Sequence, residues 1–150
     1  MDYKKSPGGI WQPCADLQPI GIQSPAAGAN LSYTLRPGGI YRLLSLLFTF
    51  TTSADVATRV VGITLSHGGL TFFRAKNSQS HTASLAFFYC VFPGTTSTAV
   101  FGNTGHIAFP VPSFVPGETI IATTIESIQA GDQISAVALY VEFFPGAGEY

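Results

Sequence analysis

Apolar and polar positions along this chain follow two rhythms. From Ile40 onward, short runs of Val, Ile, Leu, Phe and Thr are separated by Gly- and Pro-containing turns, the pattern of strands joined by tight connections. Arg59 to Leu65 alternates, with Val61, Ile63 and Leu65 on one face. His67-Gly68-Gly69 then predicts a hairpin, because glycine takes positive φ without a Cβ clash. Leu70 to Phe73 follows as the next strand. Ala99 to Phe101 and His106 to Phe109 flank Gly102-Asn103-Thr104-Gly105 as a second hairpin. Thr119 to Ile125 places Ile121 and Ile125 on one face and Thr124 on the other. Gln133 to Phe144 places Val137, Leu139, Val141 and Phe143 inward, and Ala136, Ala138, Tyr140 and Glu142 outward. Two segments break the alternation. Leu43 to Phe50 and Ala83 to Phe92 are apolar on both faces, as expected of central strands in a layered fold. No stretch shows the period of an amphipathic helix. The expected fold is all-β, a jelly-roll-like two-sheet antiparallel sandwich. An immunoglobulin-like sandwich comes second, without its Cys–Trp–Cys pattern.

Residues 1–39 have another texture. Pro7, Pro13, Pro19, Pro25 and Pro37 recur among glycines, and proline fixes φ and removes a backbone donor. This predicts an extended N-terminal arm over 1–39, ahead of a sandwich domain over 40–150. Ile10, Trp11, Leu17, Ile20 and Ile22 are its apolar anchors, and an anchored arm implies a surface to lie on. The opening residues lead into Ser6-Pro7-Gly8-Gly9, so no secretory leader is expected. No apolar run approaches the ~20 residues of a membrane-spanning helix.

Charge changes the picture most. Only 10% of residues are charged, against about 25% in ordinary globular proteins. From Asn77 to Gly117 there is no Asp, Glu, Lys or Arg. Net charge is −1, leaving no basic footprint for nucleic acid or for an anionic membrane. Neutral, aromatic-rich surface is common where protein packs on protein. Phe101, Phe109 and Phe114 therefore join the arm anchors as candidate partner-binding residues.

The chemistry-bearing residues form no catalytic constellation, and no enzyme is expected. His67, His81 and His106 show no metal-ligand spacing, so neither metal nor cofactor is expected. No Gly-x-Ser-x-Gly elbow and no phosphate-binding glycine loop occurs. Glu118, Glu126 and Glu142 lie on different strand ends and read as solvated charges. Cys90, in an apolar run, reads as a buried free thiol; a Cys14–Cys90 bridge is the alternative. Arg42 and Arg59 sit in apolar strands, where an unpaired charge is costly. Asp55, Glu126 and Glu142 are the candidate ion-pair partners. Asp132, after Gly131, reads as a turn residue, as does Asp55.

The run Arg42-Leu43-Leu44-Ser45-Leu46-Leu47-Phe48-Thr49-Phe50-Thr51-Thr52-Ser53-Ala54-Asp55-Val56-Ala57-Thr58-Arg59-Val60-Val61 resembles small β-sandwich structural proteins of tailed bacteriophage virions. So does Ile128-Gln129-Ala130-Gly131-Asp132-Gln133-Ile134-Ser135 before the terminal strand. The likeness is one of texture over 40–66 and 127–143, and it brings no catalytic residues. It implies a virion component, with a capsid decoration or cement subunit as the expected role. The expected partners are copies of itself in a trimer or higher symmetric assembly, and virion proteins such as the major capsid protein, with no direct nucleic acid and no membrane. A head–tail connector or tail/fibre-base protein is one alternative. A lectin-like module using Tyr89, Asn77 and His81 is another. Deleting residues 1–25 is expected to leave a folded domain that no longer assembles.

Overall fold

A computed structural model of the chain describes residues 3–5, 11–13, 16–94, 100–101 and 103–146, with backbone alone at 3–5, 11–13 and 100–101. The strands in chain order are Tyr3–Lys5 (β1), Trp11–Pro13 (β2), Asp16–Gly21 (β3), Ser32–Thr34 (β4), Ile40–Thr51 (β5), Arg59–His67 (β6), Leu70–His81 (β7), Ala86–Pro93 (β8), Val100–Phe101 (β9), Thr104–Phe109 (β10), Phe114–Pro116 (β11), Ile120–Glu126 (β12) and Gln133–Phe144 (β13). The described residues contain no helix. β1 and β2 pair with each other. The others form two sheets. The larger runs β3-β13-β5-β8-β10-β9, with β11 also on β5; the smaller runs β4-β12-β6-β7.

The alternating strands supply the interior. Val61, Ile63 and Leu65 from β6 and Ile121 and Ile125 from β12 meet Leu46, Phe48, Phe50, Tyr89, Val91, Leu139 and Val141 of the larger sheet in one cluster. The β6–β7 connection is the expected two-residue turn, with Gly68 and Gly69 both at positive φ. β13 keeps its inward and outward sets by a bulge between Ser135 and Ala138, where Ala136 takes φ 51° and restores the parity after Ile134.

Three expectations change. The pairing is not wholly antiparallel, since β10 lies parallel to β8. The boundary at residue 39 falls inside the sandwich: β3 pairs with β13, β4 pairs with β12, and Leu31 and Leu35 are buried core residues. Residues 16–39 are therefore part of the body. Proline keeps them out of helices and the middle of sheets, but it permits short edge strands. Phe109, expected at a partner surface, is buried in the core, because β10 turns it to the same side as Ile107.

Candidate functional site

The two sheets present opposite chemistry to the outside. On the larger sheet, strand register sets the outward residues in rows. One row runs Pro116–Ile40–Phe144 and the next Phe114–Arg42–Glu142–Leu17. Beyond them come Ser45–Tyr140–Pro19, His106–Cys90–Leu47–Ala138–Gly21 and Thr104–Phe88–Thr49–Ser135. Leu17, Ile40, Phe88, Phe114 and Tyr140 are each 37% to 60% exposed. The Phe114 and Phe144 rings lie 5.9 Å apart. Leu44, Pro93, Val111 and Phe114 line a depression of about 360 Å³ beside Arg42. The only charges in these rows are Arg42 and Glu142, joined at 3.1 Å.

The smaller sheet differs at every row. Its outward residues are Thr34–Ile120–Ser66–Thr71, Ser32–Ala122–Thr64–Arg74, Thr124–Gly62–Lys76 and Glu126–Val60–Ser80. Lys76 Nζ reaches Glu126 Oε1 at 3.3 Å across the intervening β6. Gly62 lies in that crossing, where a Cβ would come within 2.8 Å of Thr124 Oγ1. A shallow groove of about 630 Å³ there is lined by hydroxyls, Arg74, Lys76 and Glu126. This face is mostly polar, with Leu70 and Phe72 exposed near the β6–β7 turn, and the other is mostly apolar.

Two interior polar joints hold these faces in place. Arg59 and Asp132 have fully buried side chains. The guanidinium donates from Nε to Asp132 Oδ2 at 2.9 Å and from an NH2 nitrogen to Oδ1 at 3.0 Å, the two-pronged geometry suited to arginine and carboxylate. The amides of Ser53 and Gln129 donate to the same carboxylate at 2.8 Å each. Burial by itself pushes the Asp132 carboxyl up, but the Arg59 hydrogen bond and the two amides outweigh it and hold it below the ordinary range. The second joint links the sheets: His81 on β7 bonds Tyr89 on β8 through Nε2 and the phenol oxygen. Burial lowers the His81 pKa and raises that of Tyr89. Asn77 Nδ2 donates to the His106 carbonyl at 3.0 Å, and Gly105 packs directly on the Tyr89 ring.

Compared with protein-family models, curated proteins and solved structures, the chain matches none. Its own geometry must carry the functional reading.

That geometry sorts the candidate residues. Leu17 and Phe114 lie on the apolar face. Ile20 and Ile22 pack against the core and are not surface anchors. Trp11 and Phe101 are described as backbone only, and Ile10 and Cys14 lie outside the described residues. Arg42 pairs with Glu142, as charge compensation requires. Arg59 takes Asp132, not Asp55, Glu126 or Glu142. Asp55 is exposed and bonds Ser53, and Glu126 takes Lys76. The signal for Asp132 was present in part, because a buried arginine needs an acid and this chain has few. Asn77, His81 and Tyr89 are buried, so the lectin-like constellation makes no surface site. Cys90 is a free, half-buried thiol on the apolar face. Residues missed by the sequence reading are Ile40, Phe88 and Tyr140. Among the described residues no group of His, Cys, Asp and Glu is placed to hold a metal.

Proposed function

We propose that this chain is a non-enzymatic structural subunit of a virion, in a capsid decoration or cement role, that binds its neighbours through the outer face of the larger sheet. The observation that carries the reading is the five large apolar side chains left half-exposed in rows whose only charges neutralise each other. Contiguous apolar patches rimmed by polar residues mark contact surfaces. The two segments that resemble phage β-sandwich proteins supply β5, β6 and the turn into β13, and the Arg59–Asp132 joint ties them together. The buried polar groups serve as joints between elements and are closed to substrate. In this reading the two sheets form a jelly-roll-like sandwich.

The magnitudes favour assembly in many copies. Fully burying a large apolar side chain is worth about 1.5–3 kcal/mol, so covering each half-exposed one contributes about 1 kcal/mol. Association costs about 4–15 kcal/mol in lost freedom. One pair of such faces binds weakly, and a lattice of repeated contacts binds firmly. The test is quantitative mass spectrometry and immunolabelling of particles purified from the source of the sequence. The chain should be present in many copies at a repeating shell position. Its absence from particles contradicts the reading.

A further inference from the structure

We propose that residues 77–81, the far end of β7, form an acid-operated latch: protonation of His81 releases this segment from the larger sheet while the rest of the sandwich stays folded. The inference stands apart from the virion reading and concerns only the seam between the two sheets.

The segment is a flap between two anchored ends. β7 is the last strand in the order of the smaller sheet. Its register against β6 slips between the Gly62–Lys76 and Val60–Ser80 pairs, so Asn77, Ser78 and Gln79 stand against Val61 alone, as a bulge. Ser78, Gln79 and Ser80 are exposed, while Asn77 and His81 turn into the interior. Among the described residues, those two side chains tie the segment to the larger sheet. Asn77 Nδ2 donates to the His106 carbonyl at 3.0 Å, and His81 Nε2 bonds the Tyr89 hydroxyl. Beyond the segment the chain is pinned to the end of β5. Thr52 Oγ1 donates to the Thr82 carbonyl and accepts from the Leu85 amide, each at 2.8 Å.

The surroundings of His81 suit a neutral ring. The rings of Phe87, Tyr89 and Phe50 lie 4.0, 5.6 and 6.2 Å from it. Nδ1 is buried and has no hydrogen-bond partner among the described residues. The protonated imidazole is a charged donor at both nitrogens, and burying that charge without an acceptor at Nδ1 is costly.

The charged groups nearby do not relieve this cost. Arg59 stands directly opposite on β6 and is itself a cation. Its counter-charge, Asp132 in the turn before β13, is taken up by Arg59 and by the Ser53 and Gln129 amides. β5 and β8 offer Phe50, Phe87 and Tyr89, whose phenol burial keeps neutral. On β7, Lys76 is exposed and pairs with Glu126 of β12. Asp55 is exposed and bonds Ser53. β10 meets the segment through the His106 carbonyl, while the His106 ring packs on Phe92. Bringing His81 to water is what accommodates the proton, in keeping with its lowered pKa. The closed latch is therefore favoured above pH 6.5 and weakens as pH falls toward the lowered folded value.

The experiment is hydrogen exchange of the full chain, read by mass spectrometry from about pH 7.5 to about pH 5 and corrected for intrinsic exchange at each pH. Protection of 77–81 should fall below pH 6.5 by up to about tenfold per pH unit, while β12 and β13 keep theirs. His81→Gln, neutral throughout and able to bond Tyr89, should remove the pH dependence. His106→Gln should retain it. If His81→Gln does not fold, the wild-type profile and His106→Gln decide. Protection of 77–81 that ignores pH overturns the inference, as does protection lost only together with that of β13. So does a pH dependence that survives His81→Gln or disappears in His106→Gln.

Discussion

The outer faces of the two sheets are built from the same kind of strand, yet one is mostly polar and the other mostly apolar. In the smaller sheet β6 alternates, while β7 shifts register against it. Val61, Ile63 and Leu65 go inward, and Thr64, Ser66 and Gly62 go outward, with Arg74, Lys76 and Glu126 beside them. The larger sheet carries Leu44, Leu47 and Phe88 outward from strands whose inner sides are already apolar. Hydrophobic burial accounts for the first pattern within one chain. The second leaves apolar area uncovered by the described residues, and its two charges, Arg42 and Glu142, pair with each other. Under the proposed reading, function lies on a face and not in a cleft.

The largest expected effect removes the frame that both faces share. Asp132→Asn leaves the Arg59 guanidinium buried without its counter-charge and should cost about 3–5 kcal/mol in urea unfolding. Both faces are then lost together. If stability is unchanged, the joint does not hold the sheets. A smaller effect should separate the faces. Deleting residues 1–25 removes β3, its pairing to β13 and the packing of Ile20 and Ile22. A loss of about 2–4 kcal/mol is expected from that apolar area. This replaces the outcome that an independent arm would give, which is an unchanged melting temperature with lost assembly.

Acid should act on the two interior joints in sequence. His81 has its folded pKa lowered below 6.5 by burial. Its contribution is present above pH 6.5 and is lost as pH falls through the lowered value. Asp132 is lowered below 3.8, and its contribution is lost further down, as pH falls through that lower value. Melting temperature against pH should show both steps, with His81→Phe removing the first only. The smallest effect belongs to the watery face. Glu126→Gln breaks an exposed pair with Lys76 and should change stability by less than about 1 kcal/mol, with self-association untouched.

Much of this arrangement was legible in the residues. The alternation in β6, β12 and β13 identifies their buried sides, and Gly68-Gly69 identifies the hairpin, because both signals are local. The two-sided character of β5 and β8 was equally plain, but it does not say whether the second side is covered by the same chain. Leu31 and Leu35 were hidden because proline and glycine dominate the composition around them, while their burial depends on β12, far along the chain. Asp132 was hidden for the same reason: it stands in a turn by local chemistry and meets Arg59 only after folding. Parallel pairing of β10 with β8 leaves no short-range mark. Ile40, Phe88 and Tyr140 gather into one surface only through strand register.

The central claim, that the larger sheet's outer face is an interface and the smaller sheet's is not, is tested most directly by carbene footprinting of the concentrated and the dilute protein. Leu17, Ile40, Phe88, Phe114 and Tyr140 should lose labelling together on concentration, while Phe72 and Leu70, exposed on β7, should label equally in both. Labelling of the five that does not depend on concentration, or protection of Phe72 and Leu70 in their place, contradicts the account.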